Sequence, residues 1–248
     1  MAIASITFVC TFGCALAATF IRGWLPPAHL SKESQDVVRL GIGLVATMTA
    51  LLLGLVTAAA RSTFDAQDAA VRNSAASILT LDRNLASYGP ATSPIRDLIK
   101  QAVAHRVKTL WPEDSPVSSG ESAATSPVEE IENQILRLSP ENDTQRWLKS
   151  EALRLTQEIA KTRWRVLESA GGTIPVPFLV AVIFWLTVTF TSFGLYAPRN
   201  ATVMSVLFVA ALSVAGAVFL LLELDGPFDG IIRVSSSPMQ FALEHLDK

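Results

Sequence analysis

Apolar positions fall into two patterns along this chain. Four blocks, residues 1–21, 40–60, 175–197 and 200–222, are apolar almost throughout and contain no Asp, Glu, Lys, Arg or His. A hydrocarbon core of about 30 Å takes roughly 20 residues of helix to cross, so each block is long enough to span a bilayer. Inside lipid the backbone must satisfy its own polar groups, which predicts helices. Between residues 61 and 174 the pattern changes to apolar positions at helical spacing, separated by charged ones. The prediction is an all-α, polytopic membrane protein. Its four transmembrane helices form two hairpins, with a helical extramembrane domain inserted between them. The predicted boundaries are 1–60, 61–174, 175–222 and, for an acidic turn with an amphipathic C-terminal tail, 223–248.

Local signals punctuate this layout. Trp24 sits at an interfacial position, and Pro26-Pro27 cannot continue a helix. The Ala15-Leu-Ala17 stretch resembles a cleavage site, but no basic residue precedes it, so the first block reads as a retained span. The second block carries Gly43/Thr47 and Gly54/Ala58, a small-xxx-small spacing that points to close helix packing or, as the sharper reading, to a pore-lining face. No breaker follows this block. Phe64, Val71, Ile78 and Leu85 recur every seven residues, so the helix is expected to run on until Tyr88-Gly89-Pro90 stops it.

Three further helices are predicted in the charged region. Ser93 before Pro94 reads as an N-cap, with Ile95, Leu98, Ile99, Ala102, Val107 and Leu110 as the apolar face. Residues 112–126 read as a loop. Ser126 to Glu129 reads as a capping box ahead of Val128, Ile131, Ile135 and Leu138. Ser139-Pro140 is expected to open the last helix, with Leu148, Ala152, Leu155, Ile159 and Val166 inward and Gly171-Gly172 as its end. In the third apolar block, Thr187, Thr189 and Thr191 can bond back to carbonyls one turn earlier or reach a neighbouring helix.

Composition sharpens the split. Half of the residues are hydrophobic and 17% are charged, and the mean hydropathy is +0.39. Residues 61–174 hold 14 of the 20 Lys and Arg and 15 of the 22 Asp and Glu. A net charge of −2 gives no nucleic-acid signal. Cys10 and Cys14 share one helical face without a nearby His, so no metal site is expected. His105 reads as a solvent-facing side chain, and the alternating charges from Arg146 to Arg165 as a solvated helix face. No nucleophile, acid–base pair or phosphate loop appears at catalytic spacing, so neither an enzyme nor a cofactor is expected. Basic residues near the spans set the orientation. Arg22, Lys32, Arg39 and Arg199 lie on one side; Arg61, Arg72, Lys161, Arg163, Arg165 and Arg233 lie on the other. The excess places the central domain and both termini in the cytoplasm of a bacterial inner membrane.

The exit of the fourth block carries the sharpest candidate chemistry. Glu223 and Asp225 stand where the span meets water, either as residues that end the helix in the headgroup layer or as carboxylates that attract cations to a pore mouth. Asp225-Gly226-Pro227-Phe228-Asp229-Gly230 followed by Arg233, the turn Pro198-Arg199-Asn200, and the stretches Ala60-Arg61-Ser-Thr-Phe64-Asp65 and Leu81-Asp82-Arg83 resemble the bestrophin-like family of bacterial membrane proteins along nearly the whole chain. That family resembles, more distantly, the bestrophin ion channels. The resemblance implies a homo-oligomer in the lipid bilayer, a pentamer if it extends to the channels themselves, with inorganic ions as partners. It also implies that the second span lines the pore. Asp225, Pro227, Phe228 and Gly230 are similar to the acidic-Pro-Phe-Gly segment after the fourth bestrophin span, interrupted here by Gly226 and Asp229. The acidic calcium clasp of the animal channels is absent, and the second span has no Phe to form an aromatic neck. A neck would fall to Leu44, Met48, Leu51 and Leu55.

Overall fold

The computed structural model describes residues 2–24, 26, 31–111, 127–169 (165–169 as backbone), 174–198, 200–228 and 230–246. All regular structure among them is helical: α1 (Ala2–Ile21), α2 (Lys32–Tyr88), α3 (Ser93–Leu110), α4 (Pro127–Leu136), α5 (Asp143–Ser169), α6 (Val176–Tyr196), α7 (Ala201–Asp225) and α8 (Ser237–His245). Four of them, α1, α2, α6 and α7, are long and apolar enough to cross a membrane. The second begins eight residues before its apolar block and continues unbroken to Tyr88, as the absence of a breaker predicts. The Ser126 capping box, the 112–126 loop, the Gly171-Gly172 stop, the Val166 side chain and Arg199 lie outside the described residues. The fold divides into two compact units, residues 1–63 with 172–226 and residues 64–171 with 227–248.

In the first unit α1 packs on α6 and α7. Ala15, Phe190, Leu207 and Ala211 form a small core, flanked by Phe8 and Phe12. Both of these rings stand nearly perpendicular to the Phe208 ring, at centroid distances of 5.5 and 5.4 Å. The crossing of α1 and α6 depends on Gly194: a Cβ there would overlap the carbonyl of Ala15. Close approach lets the Thr19 hydroxyl meet the carbonyls of both Ala15 (2.9 Å) and Gly194 (3.1 Å). The Arg22 guanidinium donates to the carbonyl of Ala197 at 2.5 Å, where α6 ends. Asn200 then caps α7 by accepting from the Val203 N–H at 2.8 Å, a bond worth about 1 kcal/mol at an N-cap. Thr187, Thr189 and Thr191 bond back to Ile183, Trp185 and Thr187 at 2.7–2.9 Å, so the hydroxyls of this stretch are satisfied along their own helix.

The second unit is built on the heptad of α2. Val71, Ile78 and Leu85 are buried, with Phe64 packed against the same core. They meet Ile95, Ile99, Val103 and Val107 of α3, Ile131 and Ile135 of α4, and Ala152, Leu155 and Ile159 of α5. Val103 belongs to this face in addition to the expected residues. The C-terminal segment contributes Val234, Met239, Ala242 and Leu246 to the same core. Two helix starts differ from expectation. Ser93 is the first residue of α3 rather than its cap, because a 3₁₀ turn over Pro90–Thr92 feeds straight into the helix. The Thr92 hydroxyl holds that turn through the carbonyl of Leu85 at 2.6 Å. α5 opens at Asp143 rather than after Ser139, since Asn142 supplies the cap by accepting from the Gln145 N–H at 2.8 Å. Lys149 donates to the carbonyls of Leu136 and Leu138 at 2.8 and 2.9 Å, closing the end of α4.

Candidate ion pathway

The apolar half of α2 is the least covered of the four long apolar helices. Only 6% of its apolar window is buried in the protomer, against 22–28% in the other three. The four neck candidates lie on one exposed face: Leu44, Met48, Leu51 and Leu55 are 63%, 52%, 67% and 68% accessible. Their spacings of four, three and four residues keep them aligned along the helix. Val37 and Leu40 extend the same stripe towards the N-terminus. A different face of α2 packs inward, where Leu53 and Val56 meet Val182 of α6 and Val218 and Leu221 of α7 around a small void. Gly41, Gly43, Gly54 and Thr47 of α2 do not serve a crossing within the single chain. A Cβ added at Gly41, Gly43 or Gly54 would meet nothing within 4 Å, and the Thr47 hydroxyl bonds only to its own helix, at the carbonyl of Gly43.

Glu223 and Asp225 sit in the last turn of α7, half-buried and each engaged by a partner. Carboxylates at a helix C-terminus face the negative end of the macrodipole, so the helix itself does not favour them there. The exposed leucine stripe and these carboxylates belong to the same unit but to different helices.

The rest of the Asp225–Arg233 motif, from Pro227 on, belongs to the second unit. Pro227 is buried, and its carbonyl accepts from the Val234 N–H at 2.8 Å, closing a loop. Gly230 has a φ of +92°, a left-handed conformation that side chains with a Cβ disfavour. Phe228 stands edge-on to Trp111 at a centroid distance of 5.8 Å. The Trp111 indole N–H donates to the Val234 carbonyl at 2.8 Å, and the residue is 1% exposed. Arg233 is half-buried and partnered. In the other hairpin turn, the carbonyl of Pro198 accepts from the Asn200 N–H at 3.0 Å.

Sequence reasoning did not single out two features of the helical unit. Arg96 grips Asp82 through two bonds, Nε to Oδ1 at 2.7 Å and Nη2 to Oδ2 at 2.9 Å. The side chains are 20% and 5% exposed. Trp111 is the other, as the anchor of the C-terminal segment. The signals were an acid set among the inward positions of the α2 heptad, and a lone Trp at the end of a helix.

A family model for the bestrophin-like domain matches residues 9–239. This chain belongs to the bestrophin-like family. Solved structures share the fold. A bacterial bestrophin homologue from Klebsiella pneumoniae, crystallised as a point variant, superposes with a TM-score of 0.68 at 16% identity, over 97% of this chain and 96% of that one. A second variant of a K. pneumoniae homologue gives 0.69 at 15% identity, over 98% and 97%. A crystal structure described as a membrane protein gives 0.70 at 15% identity, over 97% and 96%. No protein of curated function matches the chain.

Proposed function

We propose that this bestrophin-like chain forms an oligomeric ion channel or channel-like pore in the bacterial inner membrane, and is not an enzyme. In this reading residues 1–60 and 175–222 are two membrane hairpins that supply four spans. Residues 61–174 are a helical region inserted between them, and the tail 223–248 follows the last span. The termini and the helical region face the cytoplasm, in keeping with the excess of Lys and Arg on that side.

The observation that carries this reading is the exposed apolar face of α2. Such a face needs lipid or other copies of the chain to cover it. In a ring of copies, five by analogy with bestrophins, Leu44, Met48, Leu51 and Leu55 would repeat around an axis as an apolar constriction, a device that controls permeation by dewetting. Glu223 and Asp225, repeated once per subunit, would draw cations to the mouth. The fold shared with bacterial bestrophin homologues supports the same arrangement.

The test is conductance of the purified protein in a planar bilayer under a KCl gradient. Single-channel currents are expected, with a reversal potential that shows cation preference. Glu223→Gln combined with Asp225→Asn should weaken that preference without unfolding the protein. A silent bilayer containing folded, inserted protein would refute the pore. It would favour the second reading, a non-conducting membrane scaffold or sensor whose helical region binds a partner. A cavity in that region gives this alternative its specific support.

A further inference from the structure

The helical unit contains a partly open cavity of about 200 Å³ among four helices. Leu81 of α2, Val103 of α3, Ile131 of α4 and Ile159 of α5 supply apolar walls. Arg106 of α3 and Arg163 of α5 also line it. Two of its lining residues, His105 and Thr109, are exposed. Among the described residues no Asp or Glu lines the cavity and no carboxylate pairs with Arg106, whereas Arg163 has a partner of its own. Burial pushes the Arg106 guanidinium below its ordinary range, and repulsion from Arg163 adds to the effect.

The half-buried Arg106 guanidinium stands beside a second guanidinium and, among the described residues, has no carboxylate of its own to offset its desolvation. A bound anion would relieve both the desolvation and the repulsion, and guanidinium groups suit carboxylate and phosphate oxygens in particular. The apolar walls ask for an equally apolar body. An engineered cavity of about 150 Å³ lined by Leu, Ile and Phe holds one benzene, so a space of this size suits a monosubstituted benzene ring or a short aliphatic chain.

We infer that this cavity is a binding site for a small amphipathic anion, a carboxylate or phosphate monoester on an apolar body of ring size, with Arg106 and Arg163 as the anion-binding groups. The site is built within the helical unit and does not depend on the protein conducting ions.

The test uses the full-length protein in lipid nanodiscs, titrated calorimetrically with phenylacetate, phenyl phosphate and the neutral isostere phenylacetamide, with empty nanodiscs as the blank. Saturable binding of at least one anion is expected, at least about tenfold tighter than the amide, as befits charge-assisted bonds. Arg106→Gln should weaken anion binding about tenfold while raising the melting temperature, because it removes a half-buried charge that no described carboxylate pairs. Arg106→Lys should keep part of the affinity, and Arg163→Gln provides an independent second variant. Val103→Trp should block the cavity to all three probes. The inference is overturned if neither anion binds above the blank, or if the amide binds as well as the anions. It also falls if Arg106→Gln leaves affinity within twofold of wild type, or lowers the melting temperature, which would make Arg106 a structural residue.

Discussion

Asp82→Asn is the sharpest single test of how the helical unit is held. Asp82 lies on α2 and Arg96 on α3, fourteen residues later, and their two bonds join the helices on either side of the Gly89-Pro90 break. Replacing the carboxylate with an amide leaves Arg96 charged, 20% exposed, and facing a group that cannot match its fork. Breaking a buried ion pair from one side costs about 3–5 kcal/mol. The partial exposure of Arg96 places this case near the lower end, at about 3 kcal/mol. At roughly 2–4 °C per kcal/mol for a chain of this size, the melting temperature should fall by about 6–12 °C. The assay is thermal unfolding of detergent-solubilised protein followed by helical circular dichroism, run on Asp82→Asn, Arg96→Met and the double variant Asp82→Leu/Arg96→Met. The double variant should recover most of the loss, since two apolar groups in place of the pair leave no charge stranded. If the single variants melt within a degree of wild type, or the double variant is as unstable as their sum, the pair is not the fastening argued for here.

Gly194→Val should destabilise the α1–α6 contact by about 1–3 kcal/mol or more, because the added methyls have no room against the Ala15 backbone. Melting of the solubilised protein would show it, whereas Gly216→Ala, which meets nothing within 4 Å, should be silent. Trp111→Phe removes the donor to the Val234 carbonyl, a buried bond whose loss costs about 1–3 kcal/mol; the C-terminal segment should then be cut faster by protease than in wild type. Arg154 bonds Glu151 at 2.6 Å and holds that carboxyl below the usual carboxylate range. The sign is that of a depressed acid, so the contribution is present above the unfolded-state pKa and lost as pH falls through the folded one. The pair is solvent-exposed, so Arg154→Ala should leave the melting temperature unchanged within error, at neutral and at acidic pH alike.

Much of the architecture is legible from residue spacing alone. The four apolar blocks become four long helices, the seven-residue recurrence of Val71, Ile78 and Leu85 becomes the spine of the helical unit, and Gly89-Pro90 ends α2 where the breakers stand. Helix starts were less legible because several residues nearby can cap. At Asn142 the side chain that reaches a free N–H lies two residues beyond Pro140. The Asp82–Arg96 pair was hidden for a physical reason. A carboxylate on an inward face is stable only with a partner from another helix, and which of the basic residues of the region that is depends on tertiary packing. The Trp111–Val234 bond joins residues 123 positions apart and is equally invisible to periodicity.

The α2 helix shows why hydrophobic spacing does not by itself identify a core. Leu44, Met48, Leu51 and Leu55 recur at the three- and four-residue steps of an amphipathic helix. So do Val71, Ala75, Ile78, Leu81 and Leu85. The second set is buried by α3, α4 and α5; the first is exposed in the protomer. What separates them is the opposite face. Around the second set stand Asp68, Arg72 and Arg83, which must remain in water, so the apolar side has to turn inward. Around the first stand Gly41, Gly43, Thr47 and Ala50, which tolerate lipid or a neighbouring helix equally well. An apolar helix face therefore predicts burial within the chain only when charge on the other side forces the choice. Where no such charge exists, as between residues 40 and 60, the spacing alone does not say what covers the face; in the proposed pore it would be the bilayer and other copies of the chain.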